Sequence, residues 1–449
     1  MNLNPYRVAL RFSKGKILSN FVLGVGLVGA SPLWAQHTAD FAFVTNGGAN
    51  SISVYDINSK TGALSPVPGS PFATGVFPIS ATIDPNGRFV YVANAGIPTN
   101  AYSVSGYAVN EKTGALTEIP GSPFATGVQP ASVTINPNGR FAYVADAGLD
   151  DGDISVYTVN ATTGALTPVP GSPFAAGHEP TSLAVSPNGK FVYVTNNIVQ
   201  FSDLTGAVSA FVVNASTGAL TPVSGSPFAA GMETFGMAIH PNGRFAYVAN
   251  GLSNDISVFS INTTGALTPV PGSPFAADLG STSVALSPNG RFAYVANGAA
   301  STVSAYTINT TTGALTPVPG SPFAAGSNPF SVTVSADDQF AYVANNAGNS
   351  VSAYVIDATT GALTPVADSP FAAGRFPNSV TTTAPEKRCR HEEDRGERRN
   401  HDEQRDAGRK DDEREGHRFD GKHDCERFAE KDFEEHDHDE AHERERDHY

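Results

Sequence analysis

Between residues 38 and 385 the hydrophobic positions fall in short runs rich in β-branched and aromatic residues, bounded by Gly, Pro, Asn or Asp, with no helical periodicity. Ala131–Asn136, Arg140–Asp146, Asp153–Val159 and Ala165–Pro170 are four such runs in succession. In the second, Phe141, Tyr143 and Ala145 alternate with Ala142 and Val144, so both faces are apolar. That is the pattern of a strand covered on both sides. The first three runs read as strands. The prolines of the fourth place it at a sheet edge, because proline has no N–H to give to a ladder.

This four-strand unit recurs. A phrase of the form T-G-A-L-T-P-V-P-G-S-P-F-A-A-G, with substitutions after T-G-A-L, recurs seven times, with its first glycines at Gly62, Gly114, Gly164, Gly218, Gly265, Gly313 and Gly361, spaced by 52, 50, 54, 47, 48 and 48 residues. A second phrase, P-N-G-R-F-A-Y-V-A-N, follows the first five copies, and a degraded version, Ala336 to Asn345, follows the sixth. Pro-Asn-Gly supplies the preset φ of proline and the positive φ that Asn and Gly tolerate, which suits a hairpin between first and second strands. Thr-Gly does the same between third and fourth. Four strands in a period of this length predict the blades of a β-propeller.

The ends of the array are out of phase. Phe41 to Asn46 begins at a second strand, and Asn378 to Thr383 resembles a first strand with no hairpin after it. The expected fold is therefore all-β: seven four-stranded blades, the ring closed by residues 379–383 pairing with the three strands of residues 40–68. Arg88, Arg140, Lys190, Arg244 and Arg291 share one turn position and read as blade scaffolding.

Charge divides the chain. Residues 386–449 hold 16 of the 28 Lys/Arg, 25 of the 43 Asp/Glu and 8 of the 11 His, with almost no aliphatic side chains. Such a segment cannot bury enough apolar surface to offset chain entropy, and is expected to be a disordered, charged, His-rich tail, unless a shifted reading frame produced it. Both cysteines, Cys389 and Cys425, lie there, so residues 36–385 have no disulfide, thiolate nucleophile or Cys-ligated zinc. Neither large part has the basic surface that nucleic acid requires. At the amino end, Arg7, Arg11, Lys14 and Lys16 precede an apolar stretch, Ile17–Ala30, followed by Pro32 and Ala35. This layout is that of a signal peptide over residues 1–35, so residues 36–385 form the exported body, secreted or periplasmic, with no transmembrane span after cleavage. An uncleaved anchor is the alternative.

The second-strand phrase contains Tyr193-Val194-Thr195-Asn196, with Phe43-Val44-Thr45-Asn46 and several Tyr-Val-Ala-Asn variants. Over residues 38–385 the chain resembles the YVTN-repeat propellers and the related seven-bladed lactonase family, which includes 6-phosphogluconolactonase-like proteins. The resemblance implies the propeller fold, and for activity the opening of a small lactone or carbohydrate-derived substrate, with His, Glu and Arg residues around the channel.

Repeated residues serve the scaffold, so chemistry is sought where blades differ. The connection into each first strand varies: Val76–Ile79, Val128–Ala131, His178–Thr181, Met232–Phe235, Asp278–Ser281, Ser327–Phe330 and Arg375–Asn378. Lactone opening needs a base to activate water and a donor or cation for the oxyanion. His178 with Glu179 or Glu233 supplies candidates for the base, and Arg375 for the anion. Asp146, Asp150, Asp151 and Asp153 cluster in one loop and are candidate calcium ligands, against the plainer reading of a solvated acidic turn. Asn160, Asn214, Asn262 and Asn309 head Asn-x-Ser/Thr triplets at the same hairpin, which turn chemistry explains. Two functions remain open: a monomeric lactonase-type hydrolase, and a non-catalytic propeller that binds a protein, glycan or envelope partner.

Overall fold

The computed structural model describes residues 40–148, 151–200 and 205–383. The expected signal peptide, the charged tail and Asp150 lie outside the described residues. Apart from one 3-10 turn at Gly47–Ala49, the regular structure is β. Seven antiparallel sheets each run from an inner strand to an outer edge, as Pro130–Ile135, Phe141–Asp146, Asp151–Val159 and Leu166–Pro168 do. Inner strands of successive sheets contact one another in order, and Pro329–Val334 meets Pro377–Thr382, which meets Pro78–Ile83. The result is a closed seven-bladed propeller.

The second-strand alternation is used as its pattern implies. Phe141, Tyr143 and Ala145 pack with Leu183, Val192 and Val194 of the following blade, whereas Ala142 and Val144 pack with Phe89, Tyr91 and Ala93 of the preceding one. The core is the blade-to-blade contact. The two repeated phrases meet there. Each T-G-A-L glycine, at positive φ, lies against the second-strand Phe of the blade before it, as Gly218 lies on Phe141. A Cβ on Gly218 would come within 2.7 Å of that ring, so the phrase requires glycine for space as well as for conformation. At five of the seven interfaces the Tyr two residues after the Phe donates its hydroxyl to the carbonyl of the same glycine, as Tyr91 does to Gly164 at 2.6 Å and Tyr193 to Gly265 and Tyr247 to Gly313 at 3.0 Å. The turn arginines stack over these phenylalanines, Arg140 at 5.3 Å from the Phe141 centroid and Arg291 at 5.1 Å from Phe292. Their guanidiniums donate onward to Ala215 and Ala358 carbonyls, so they are scaffold, as the repeat suggests.

Closure uses the displaced strand. Pro377–Thr382 pairs with Asp40–Asn46, which pairs with Ser51–Ile57. Phe41 and Thr383 exchange two hydrogen bonds of 3.0 Å, and Tyr342 donates to the Gly62 carbonyl at 3.1 Å, so the seam carries the same latch as other interfaces.

The outer strand differs from expectation. Ala165–Pro170 contributes a strand of only three residues, Leu166–Pro168, and a second piece, Phe174–His178, pairs with the other end of the same third strand. Between the pieces Ser172–Pro173 is cis, and the Ser172 hydroxyl accepts the Val156 N–H at 2.8 Å. The prolines interrupt the ladder, and the serine side chain takes the backbone's place.

Candidate functional site

Every connection into an inner strand has one feature in common. The residue just before the strand is left-handed: Phe77, Gln129, Glu179, Glu233, Asn328 and Phe376 have φ between 45 and 55°, and Gly280 has φ of 72°. Six non-glycine residues in this region are costly and need a structural cause. The cause is a pair of main-chain anchors. In every blade the carbonyl of this residue accepts the N–H that follows the second strand: Phe77 from Ala95 and Glu179 from Asn197 at 3.0 Å, Glu233 from Gly251 at 2.8 Å. On the other side, hairpin side chains of the preceding blade hold the N–H of several, as Asn50 holds Phe77 and Asn349 holds Phe376, both at 2.9 Å. The ring of connections and the hairpins between second and third strands therefore form one rigid face at the channel mouth.

At this fixed position the side chains do not repeat. Round the ring from the closing blade they are Phe376, Phe77, Gln129, Glu179, Glu233, Gly280 and Asn328, each half-buried. Two aromatics in neighbouring blades thus stand across the mouth from two carboxylates in neighbouring blades. The residue before each is Arg375, Val76, Val128, His178, Met232, Leu279 or Ser327, of which all but Val76 and His178 are exposed.

The sequence-selected residues fall on this face. His178 ends the short outer strand, its backbone paired with Asp151, and Glu179 follows it. Glu233 occupies the same repeat position one blade on. Arg375 belongs to the connection into the closing blade, three blades from either glutamate, which is the largest separation a seven-membered ring allows. Its guanidinium lies over the Phe376 ring, 5.4 Å from the centroid. The structure therefore gathers His178, Glu179 and Glu233 on one side of the mouth and sets Arg375 opposite. Sequence reasoning selected charged residues and passed over Phe77, Gln129, Asn328 and Phe376. Aligning the seven connections on the residue before the strand would have found them.

Asp146 ends a second strand, where six blades have Asn. It is fully buried, and Asp153 stands directly across the ladder from it. Its carboxylate accepts the Ser155 hydroxyl at 2.6 Å and the Thr126 hydroxyl at 2.9 Å. Desolvation pushes its pKa up to about 7, opposed by these hydroxyl donors and reinforced by Asp153. The Asp153 carboxyl is also raised by desolvation, with a hydrogen bond from Asp146 working the other way. Calcium requires several ionised or carbonyl oxygens converging on one point. Here Asp146 is occupied by hydroxyls, Asp151 is exposed, and Asp146 and Asp153 face each other across the ladder. Among the described residues no three His, Cys, Asp or Glu side chains gather as metal ligands. The Asn160, Asn214 and Asn309 side chains accept the N–H groups two and three residues on, the turn role expected of them. Among the described residues no helix is long and apolar enough to cross a membrane.

The family model described as lactonase, 7-bladed beta-propeller matches residues 25–124, 119–235 and 205–376. Among solved structures, the chain is similar to a Bacteroides uniformis protein provisionally described as a 6-phosphogluconolactonase, with 21% identity, TM-score 0.66, and 77% of this chain and 100% of that chain covered. It is also similar to the periplasmic gluconolactonase of Pseudomonas aeruginosa, with 19% identity, TM-score 0.64, and coverage of 77% and 99%. At these identities the likeness concerns the fold. No curated protein matches the chain.

Proposed function

Because the chain belongs to the lactonase family of seven-bladed β-propellers, we propose that it is an exported hydrolase that opens a small lactone at the channel mouth. The observation that carries this reading is the break in repetition at one rigid position. Seven left-handed residues are held by the same main-chain bonds, yet their side chains range from Phe to Glu. Backbone uniformity with side-chain asymmetry is what a site grafted on a repeat requires. Export rests on the basic and apolar layout of residues 1–35.

In this reading a carboxylate of Glu179 or Glu233, or the His178 imidazole, takes a proton from water as its oxygen attacks the lactone carbonyl carbon. The carbonyl electron pair moves onto oxygen, and Arg375, reaching from the opposite side, stabilises that oxyanion. Collapse restores the carbonyl and breaks the ring C–O bond, and the departing oxygen takes the proton back from the base.

The test is hydrolysis of a panel of sugar and aliphatic lactones by the purified protein, with Glu179→Gln, Glu233→Gln, His178→Ala and Arg375→Ala beside it. Removing the general base is expected to cost about 100-fold or more in kcat, and removing Arg375 a similar factor, with unfolding curves unchanged. No turnover of any lactone above buffer rejects the hydrolase and leaves the binding scaffold.

A further inference from the structure

One sector of the mouth leaves apolar side chains uncovered. Of the six large hydrophobic side chains that are exposed among the described residues, four, Val128, Met232, Leu252 and Leu279, lie on its connections and hairpins. Three of these adjoin. The hairpin at residues 251–254 is bonded to both flanking connections: the Leu252 N–H donates to the Met232 carbonyl at 3.2 Å, and the Asn254 side-chain oxygen accepts the Gly280 N–H at 2.7 Å. Met232, Leu252 and Leu279, at 38, 42 and 57% exposure, therefore form one row. At the left-handed position, Glu233 in one blade is followed by Gly280 in the next, so the ring of side chains is open beside this row. The polar groups of the sector are used within it. Asp255 accepts from Asn250 at 2.6 Å and from Ser253 at 3.1 Å, and Asp278 accepts the Leu279 N–H at 2.9 Å and the Thr302 hydroxyl at 2.8 Å. The Ser253 hydroxyl accepts the Met232 N–H, and the Asn254 amide donates to the Leu252 carbonyl. Outward of Glu233, what this sector offers a solute is apolar.

The size and charge of the row select its occupant. A specific protein interface buries about 800 Å² on each partner, far more than three half-exposed side chains supply. An anionic lipid surface is repelled, because Asp151, Glu179 and Glu233 stand on the same face. A single aliphatic chain matches the row. It would start beside Glu233, which Met232 directly precedes, and leave the channel through the opening at Gly280 toward Leu279. We propose that the ligand of the mouth is a lactone bearing an unbranched alkyl chain, its ring at Glu233 and its chain along Met232, Leu252 and Leu279. The inference rests on the lactone-opening reading for its reaction and on the uncovered apolar row for its ligand class.

Steady-state hydrolysis by the full chain of γ-lactones whose alkyl substituent grows from methyl through propyl to hexyl tests it. A chain laid on an open surface is buried on one side, so kcat/KM is expected to rise about twofold per methylene, or about 30-fold across the series. The double variant Leu252→Asn, Leu279→Asn supplies the second arm. Both side chains are exposed, so the fold is expected to survive, and the rise across the series should fall below about fivefold. Val355→Asn is the control: Val355 is 41% exposed, near the end of its third strand remote from the mouth, and its loss should leave the rise intact. A flat series overturns the inference and leaves the hydrolase standing, as does a rise that persists undiminished in the double variant. Failure to open any member removes the hydrolase. Calorimetric binding of the matching γ-lactams, which water does not open, then decides the ligand class: affinity that climbs with chain length and is lost in the double variant supports the proposal, and affinity independent of length ends it.

Discussion

The Ser155 hydroxyl donates to the Asp146 carboxylate at 2.6 Å, reversing the roles at the same positions of five other blades, where the Asn side chain donates to the Ser oxygen, as Asn94 does to Ser105 at 2.9 Å. One atom's change, amide nitrogen to carboxylate oxygen, places a titratable group in a fully buried position.

Its effect on stability has a definite sign. The folded state holds the Asp146 proton up to about pH 7, while an unfolded Asp releases it near pH ~3.9. The folded form thus binds the extra proton between these values, and its contribution is full below about pH 4 and lost as pH rises toward about 7. Asp146→Asn, which restores the amide of the sibling blades, is expected to flatten this dependence and to raise stability at pH 8 by about 1–3 kcal/mol. Urea unfolding of both proteins at pH 5 and pH 8 checks it; parallel pH dependences would count against the buried acid.

The tyrosine latches give a graded set. Tyr247→Phe removes the hydroxyl that donates to Gly313 and leaves a buried carbonyl without that partner, at an expected cost of about 1–2 kcal/mol. Tyr143 occupies the same position, but its buried hydroxyl has no partner, so Tyr143→Phe is expected to be neutral or slightly stabilising. Denaturant midpoints for the two variants, at equal m-values, separate these outcomes.

Two glycines of equal φ differ in surroundings. Gly62 and Gly87 are both at 73°, but a Cβ on Gly62 would collide with the Phe340 ring, while nothing lies within 4 Å of one on Gly87. Gly87→Ala should cost about 1 kcal/mol for the backbone alone, and Gly62→Ala about 2–4 kcal/mol once the displaced ring is included. Similar midpoints for both would show that conformation, not the blade interface, sets the requirement at Gly62.

Deleting residues 377–383 removes the inner strand of the closing blade and leaves Asp40–Asn46 with an unpaired ladder edge. Loss of a single cooperative transition and concentration-dependent association are expected, read by thermal unfolding and light scattering. A truncated chain that melts at the full-length temperature would show that closure contributes nothing.

Much of the ring was legible because each blade repeats the same short-range chemistry. Pro-Asn-Gly and Thr-Gly mark turns through their own φ preferences, and the apolar alternation of Phe141 to Ala145 reports two covered faces without reference to anything distant. The displaced strand at Asn378–Thr383 could be found by phase alone. The outer strand was misjudged in length because the consequence of Pro168 and Pro170 depends on where the Ser172 hydroxyl goes, which no local pattern specifies. The mouth was half legible. Charge drew attention to Glu179, Glu233 and Arg375, but their placement on opposite sides follows from ring order. The left-handed conformation that unites them with Phe77 and Phe376 arises from bonds to hairpins distant in sequence, for Phe376 across the closure to Gly47, and leaves no mark on residue type. Asp146 reads in sequence as part of an acidic turn, solvated or calcium-binding; that it is buried against Thr126 and Ser155 is a tertiary fact.

The bonds between Phe41 and Thr383 fix more than the seam. Asp40–Asn46 runs toward the mouth and Pro377–Thr382 runs away from it, so residues 40 and 383 lie side by side at the end of the closing blade remote from the mouth. Whatever precedes residue 40 or follows residue 383 starts from that one spot on the underside. A propeller tethered through either flank, to a surface or to a fused partner, is held by its base like a cup by its foot, with the opening left clear for solutes.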